Sequence, residues 1–245
     1  MDSLGDTDGS QRVPLRVRLD TPARRNALTL ATVEHLHQLL DEEPTRTLVL
    51  GSTTAGIFSS GADLDVDDAT RARLSDRLYA CYELMLTRPG ITIAVVEGAA
   101  VGGGAQLTAA SDLRTASPAA RWRWVGPGHG LAVGAWILPS LVGRARALDL
   151  TLTSRWLHAE EAVTAGFVAA LDDDPWQSAA TMAAVLAEAD QAALGRVKRI
   201  AGAEQVLLQL QMEREENRAS WSGRAPSRDA PTRSSGAEVA RRPRS

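Results

Sequence analysis

The sequence predicts an α/β fold with a parallel sheet at its centre and a helical region towards the C-terminus. Three observations carry this. Strand-like, turn-like and helix-like segments alternate as far as Asp112. Compact apolar runs of the kind buried on both faces of a parallel sheet recur between glycine-rich turns. Residues 144–200 then show mostly helical patterning.

Residues 1–12 are polar and are predicted to be disordered. From Val13, PLRVRLD alternates apolar and polar side chains, the period of a half-buried strand. Thr21 to Asn26 reads as a turn, and Thr29 to Leu40 places Leu30, Val33, Leu36, Leu39 and Leu40 at helical spacing. Thr47 to Ser52 reads as a buried strand, followed by a Gly/Ser-rich loop from Gly51 to Gly61. Ala69 to Leu86 is predicted helical, with Leu74, Leu78, Tyr82 and Met85 on one face. The pattern repeats with a strand at Ile91 to Glu97, a glycine turn at Gly98 to Gly104, and a helix opening at Gln106. The helical region includes an Ala-rich stretch from Gln177 to Ala193, and residues 203–219 suit one more helix. Beyond Trp221 the composition turns to Ser, Arg, Pro and Gly without apolar periodicity, which predicts disorder. The expected organisation is a core over 13–201, a C-terminal helix in 202–221, and disordered segments at 1–12 and 222–245.

Composition narrows the function. The 245 residues are 44% hydrophobic and 23% charged, ordinary for a globular protein. A net charge of −3 argues against a nucleic-acid binder that works by neutralising phosphates. Cys81 is the single cysteine, so an internal disulfide and a multi-cysteine metal site are excluded. His35, His37 and His158 read as surface residues on helices and offer no metal-ligand spacing, so no metal is expected. No apolar run reaches the roughly 18 residues needed to span a bilayer, and the acidic N-terminus does not resemble a signal peptide. The expectation is a soluble cytoplasmic protein with neither nucleic-acid nor membrane partners. Lys198 is the only lysine among 27 basic residues, so single arginines carry little functional weight.

Two loops can carry chemistry: Phe58-Ser59-Ser60-Gly61-Ala62-Asp63-Leu64 and Val101-Gly102-Gly103-Gly104-Ala105-Gln106-Leu107. Glycines at a strand-to-helix turn let backbone approach a ligand, and the helix N-terminus aims unpaired N–H groups at it. That suits an anion or a developing oxyanion. No GK[ST] follows the glycines, and Gly98, Gly102, Gly103 and Gly104 do not fit GxGxxG. The competing reading is a turn whose glycines serve only close packing.

Together the loops resemble those of the crotonase (enoyl-CoA hydratase/isomerase) superfamily. RLDTPARRNAL is similar to its first strand and turn, GIFSSGADL to its first oxyanion loop, and ITIAVVEGAAVGGGAQLTAASDLRTAS to its second loop and helix. LVGRARALDLTLTSRWLHAEEAVTAGFV resembles the segment after the active site. The resemblance spans about Val13 to Ala201, with the motifs in family order. It implies a crotonase-like ββα spiral core and an acyl-CoA thioester substrate, with coenzyme A part of that substrate and no separate cofactor. It also implies a homotrimer or hexamer, although the family's usual C-terminal helices give way after Trp221 to a polar tail.

By the same resemblance, the N–H groups of Ala62 and Gly103 hold the thioester oxygen. Ser60 lies near the CoA adenine and Arg24 or Arg25 near its phosphates, against the alternative of solvated surface arginines. Gly61, Asp63, Leu64, Gly102 and Gly126 complete the implied substrate-binding positions. The acid/base half departs from the family. Gln106 stands where hydratases carry one glutamate, and Gly126 (or Arg123, with the alignment slid by three) stands at the second. An amide does not titrate near neutrality, so the two-glutamate addition of water is unsupported. His129 is the candidate replacement, against an exposed loop histidine without a role. Asp63 and Asp65 are candidate bases, with loop ordering or capping as the stronger alternative for Asp63. Trp122 and Trp124 suit either an acyl pocket or the core. The expected function is isomerisation, decarboxylation or a specialised hydration through an enolate. The rival is a catalytically silent acyl-CoA-binding or partner-binding homologue.

Overall fold

The computed structural model describes residues 13–201 and 203–221; the segments 1–12 and 222–245, expected to be disordered, lie outside the described residues. Two sheets share the strands by a simple rule. β1 (Leu15–Leu19), β2 (Leu48–Ser52), β4 (Thr92–Val96), β6 (Leu113–Ala116) and β9 (Ala170–Leu171) form a five-stranded parallel sheet in the order β1-β2-β4-β6-β9. β3 (Ile57–Ser59), β5 (Ala99–Val101), β7 (Arg121–Arg123) and β8 (Leu157–His158) form a second sheet in that order, parallel except for β7–β8. Each β2–β3 and β4–β5 pair steps from the first sheet to the second. A helix then carries the chain back: α2 (Asp68–Thr87) after β3 and α3 (Gly103–Ala110) after β5. This is a repeated ββα unit.

The apolar strands explain the layering. Successive side chains on a strand point to opposite faces. Leu50, Ala94 and Val96 therefore join the main core with α1 (Leu30–Glu42), α2 and the aromatic residues of the second sheet. Val49, Ile93 and Val95 face a smaller cluster with Ala179 and Ala183 of α7 (Pro175–Glu188). Covered on both faces, β2 and β4 contain only buried residues.

Helix ends follow side-chain chemistry. Thr29, Asp67, Asp174 and Asp190 each accept an N–H from the first turn of α1, α2, α7 and α8 (Gln191–Ile200). The Asp190 cap breaks the Ala-rich stretch into two helices. Between β7 and α7 run α4 (Leu138–Val142), α5 (Arg144–Thr153) and α6 (Ala159–Thr164), with β8 between α5 and α6, and α9 (Ala203–Trp221) closes the described chain against α2.

The second sheet was not visible to periodicity. β3 and β5 lie within segments that read as a Gly/Ser loop and a glycine turn, and three-residue strands span too little chain to show a period. His158 ends β8 rather than standing on a helix. No helix among the described residues is long and apolar enough to cross a membrane.

Candidate active site

The first loop is held by a residue that sequence reading passed over. Asn26, buried and at φ 52°, donates from Nδ2 to Ser52 Oγ (2.7 Å) and the Phe58 carbonyl (3.1 Å). Its Oδ1 accepts from Thr21 N (2.8 Å) and Thr54 Oγ1 (3.1 Å). Asparagine tolerates the left-handed region, and here its amide ties the turn after β1 to both ends of the Gly/Ser segment. Asn26→Ala removes these hydrogen bonds and leaves at positive φ a residue without asparagine's tolerance of the left-handed region, so we expect a loss of about 2–3 kcal/mol in chemical denaturation. A change below about 0.5 kcal/mol would contradict this role, being the scatter of ordinary surface substitutions.

Ser59 extends the tie by donating to the Asn26 carbonyl (2.7 Å) and accepting from Gly61 N (3.1 Å). Gly61 adopts φ +99°, where an added Cβ would sit 3.0 Å from the Val101 carbonyl oxygen. Gly102 takes φ 51°, ψ −118° as the N-cap of α3, a conformation open essentially to glycine alone. These two glycines bring the loops together: a Cβ on Gly103 would lie 3.5 Å from Ala62 N, and one on Gly61 would lie 3.6 Å from Gly103 N. Leu28 N donates to the Gly61 carbonyl, Asp63 N donates to the Leu28 carbonyl, and Gly102 N donates to the Arg123 carbonyl. Among the described residues, the intervening N–H groups of Ala62 and Gly103 donate to no protein acceptor. Tyr82 Oη donates to the Gly103 carbonyl (3.1 Å), tying the first turn of α3 to α2.

Both N–H groups belong to residues lining a cavity of about 130 Å³ between the two loops and α2. Leu74, Leu78, Tyr79 and Tyr82 of α2 line it from one side and Leu131 and Val133 from another. Ser60, Gly61, Asp63, Leu64, Gly102, Gln106, Gly126 and His129 also line it, so most of the expected site residues converge there. Arg24 and Arg25 do not. Arg24 is half-exposed and ion-paired to Asp63 (2.9 Å), while Arg25 is exposed beside Ser60, whose N–H donates to the Arg25 carbonyl (3.0 Å).

The candidate acid/base positions separate clearly. Asp63 is buried, paired with Arg24 and accepts Asp65 N (3.1 Å), so it orders the loop. His129 is exposed at the rim, in a single 3-10 turn over Pro127–His129. A Cβ on Gly126 would meet the Leu131 carbonyl oxygen at 2.5 Å, so no side chain fits at that position without moving the loop. Gln106 Oε1 accepts from Trp136 Nε1 (2.6 Å) and Gly134 N (3.2 Å). Two donors on one atom identify it as the oxygen, which leaves the amide NH₂ without a protein acceptor among the described residues. Trp122 and Trp124 pack edge-on against Phe167 in the core rather than lining the cavity. Cys81 is buried, with its thiol pushed up to about 12, so it is inert at neutral pH. Glu97 accepts from Trp176 Nε1 (2.8 Å), outside the cavity.

A carboxylate does reach the region, from α9. Glu213 Oε1 accepts from Tyr79 Oη (2.8 Å) and from Gly134 N (3.2 Å), and its Oε2 accepts from Trp136 N (3.1 Å). Burial pushes its carboxyl up to about 7 despite these donors. Asn217, one turn further along α9, donates to Tyr79 Oη (2.7 Å) and lines the cavity beside Tyr79. Leu210, Glu213 and Asn217 are buried on one helical face of α9, so two polar residues occupy core positions.

Known proteins agree with this architecture. The profile of the enoyl-CoA hydratase/isomerase family matches residues 11–225. The Mycobacterium leprae protein named "Probable enoyl-CoA hydratase echA6" is 35% identical over 188 residues, covering 71% of this chain and 75% of that protein. The echA6 protein of Mycobacterium bovis, named in the same words, is 37% identical over 159 residues, covering 62% and 64%. The crystal structure of an enoyl-CoA hydratase from Mycobacterium avium subsp. paratuberculosis superposes with TM-score 0.81 at 22% identity, covering 92% of this chain and 96% of that one. That of an enoyl-CoA hydratase from Bacillus halodurans gives 0.78 at 23%, covering 89% and 95%. At these identities the two structures establish the fold: a crotonase fold with a helical C-terminal region. With the family profile spanning most of its length, the chain belongs to the enoyl-CoA hydratase/isomerase family of enzymes.

Proposed function

We propose that the protein binds an acyl-CoA thioester, with the Ala62 and Gly103 N–H groups on the thioester oxygen, and works through an enolate. The observation that carries this reading is the pair of adjacent, unspent backbone donors opening onto an apolar cavity. Abstraction of an α-proton, decarboxylation, and addition of water to an enoyl thioester all place negative charge on that oxygen. Preorganised donors stabilise it most where water is excluded.

The reaction is an isomerisation, decarboxylation or specialised hydration rather than water addition by a glutamate pair, because Gln106 and Gly126 supply no carboxylate. A second reading, a silent thioester binder, draws on the same two positions. No cofactor beyond the CoA of the substrate is required. In this reading the protein is cytoplasmic and assembles as a trimer or hexamer. The exposed Val197, Ile200, Leu208 and Met212 on α8 and α9 support assembly, which sedimentation velocity measures.

Crotonyl-CoA separates water addition from the other reactions. We expect it to bind without rapid loss of its enoyl-thioester absorbance. Rapid hydration would show that another group performs glutamate chemistry, and absence of binding to any short-chain thioester would overturn the reading. With a substrate that turns over, unchanged kinetics in His129→Ala would remove His129 from the mechanism.

A further inference from the structure

We propose that Tyr79 and Glu213 together form the proton-transfer group of this site, with Tyr79 touching the acyl chain and Glu213 holding the proton behind it. The proposal rests on the thioester reading above and supplies the acid/base that Gln106 and Gly126 lack.

Three independent observations meet here. Tyr79 and Asn217 line the cavity, while Glu213 lies behind them and is not part of its lining. Gly134 N lies 3.2 Å from both Gln106 Oε1 and Glu213 Oε1, so one N–H bridges them. α9 therefore brings a carboxylate beside the residue matching one family glutamate, from a different part of the chain. Finally, the hydrogen bonds around Tyr79 Oη have a defined direction. Asn217 Nδ2 can only donate, so Tyr79 accepts from it, and the single phenolic proton points to Glu213. One lone pair on Tyr79 Oη remains for an incoming proton.

The step balances without an added reactant. An α-proton leaves carbon and bonds to Tyr79 Oη as the phenolic proton passes to Glu213 Oε1. The C–H electron pair moves into the enolate, whose oxygen lies between Ala62 N and Gly103 N. Reversal returns the proton to the same carbon, or to the γ-carbon of an enoyl chain, which completes an isomerisation. Asn217 is a positioning residue: it fixes the Tyr79 rotamer and is itself held by the backbone of Ala132, donating to its carbonyl (2.7 Å) and accepting its N–H (2.9 Å).

The titratable groups facing Glu213 are Tyr79 and Tyr82 of α2. Its contacts in the 134–136 loop are backbone N–H groups, and Gln106 on α3 is neutral. A pH dependence of proton transfer near neutrality thus belongs to Glu213.

The test is α-proton exchange of butyryl-CoA in D₂O, read by mass, with butyryl-CoA affinity measured by calorimetry on the same proteins. Wild type is expected to exchange, with a rate that rises as pH passes through neutrality. Tyr79→Phe and Glu213→Gln should each lose about 100-fold or more in exchange, with affinity held within threefold. Wild-type exchange with both variants equally fast would overturn the relay and leave the thioester reading standing. So would a pH profile flat across neutrality, which needs no variant to fold. Binding without any wild-type exchange would also overturn the relay, in favour of the silent binder. Failure of wild type to bind butyryl-CoA at all would overturn both.

Discussion

Gly103→Pro should cut turnover by about 10²–10³, the usual effect of losing one oxyanion donor. The substitution is chosen on local geometry. Gly103 opens α3 directly after the Gly102 cap, the position where proline is best tolerated because its missing N–H has no intrahelical partner. The N–H removed donates to no protein acceptor among the described residues, so no hydrogen bond described there is lost with it. A Cβ at this position would meet Leu78 Cδ1 at 3.3 Å and Ala62 N and Leu28 Cδ1 at 3.5 Å. A stability change of more than a few kcal/mol would thus be unexpected. Undiminished turnover in a folded variant would remove Gly103 from the mechanism.

The second large effect concerns stability. The folded carboxyl of Glu213 lies at about 7, above its ordinary 4.5, chiefly because burial disfavours the charged form. Below pH 4.5 both folded and unfolded chains carry the proton, and the contribution is fully present. Between 4.5 and 7 the unfolded chain releases its proton while the folded chain retains it, so stability falls as pH rises. The fall from this group amounts to about 3 kcal/mol and ends once the folded carboxyl ionises. Tyr79 and Tyr82 do not contribute in that window, since burial pushes both phenols further up. Subtracting the stability of Glu213→Gln from wild type by urea denaturation at pH 4.5, 5.5, 6.5 and 7.5 isolates the slope. A pH-independent difference would mean that the carboxyl has its ordinary affinity for protons.

Gly103 lines the cavity and Glu213 lies behind its lining, and their visibility in the sequence differs for a physical reason. The glycine loops were legible because backbone donors need particular conformations, and those conformations need glycine. Gly61 at φ +99° and Gly102 at φ 51° occupy a short list of possibilities that sequence exposes. The large sheet was legible because β2 and β4 are buried on both faces and read as apolar runs. The small sheet was not, since its strands have two or three residues each and register instead through pairing with distant segments.

The polar residues behind the cavity escaped for a related reason. The predicted helices over 69–86 and 203–219 contain Tyr79, Glu213 and Asn217, but nothing in their sequence spacing pairs them. Only the packing of α9 against α2, which closes contacts across 134 residues, brings Tyr79 Oη and Glu213 Oε1 within 2.8 Å. Asn26 escaped because a turn asparagine has many local uses, and its value here lies in ties to Ser52, Thr54 and Phe58. Trp122 and Trp124 were ambiguous between pocket and core; both pack against Phe167 in the core, with their indole N–H groups buried and unpartnered.

The central claim is that a thioester carbonyl is polarised between Ala62 N and Gly103 N, and it can be tested apart from any acid or base. The measurement is the ¹³C resonance of butyryl-CoA labelled at the thioester carbonyl, free and bound to the wild-type protein. Hydrogen bonding to that oxygen withdraws electron density from the carbon, so a downfield shift on binding is predicted, reduced in Gly103→Pro. A bound resonance at the free position would contradict the account, because it would mean that the thioester occupies the protein without meeting the two N–H groups.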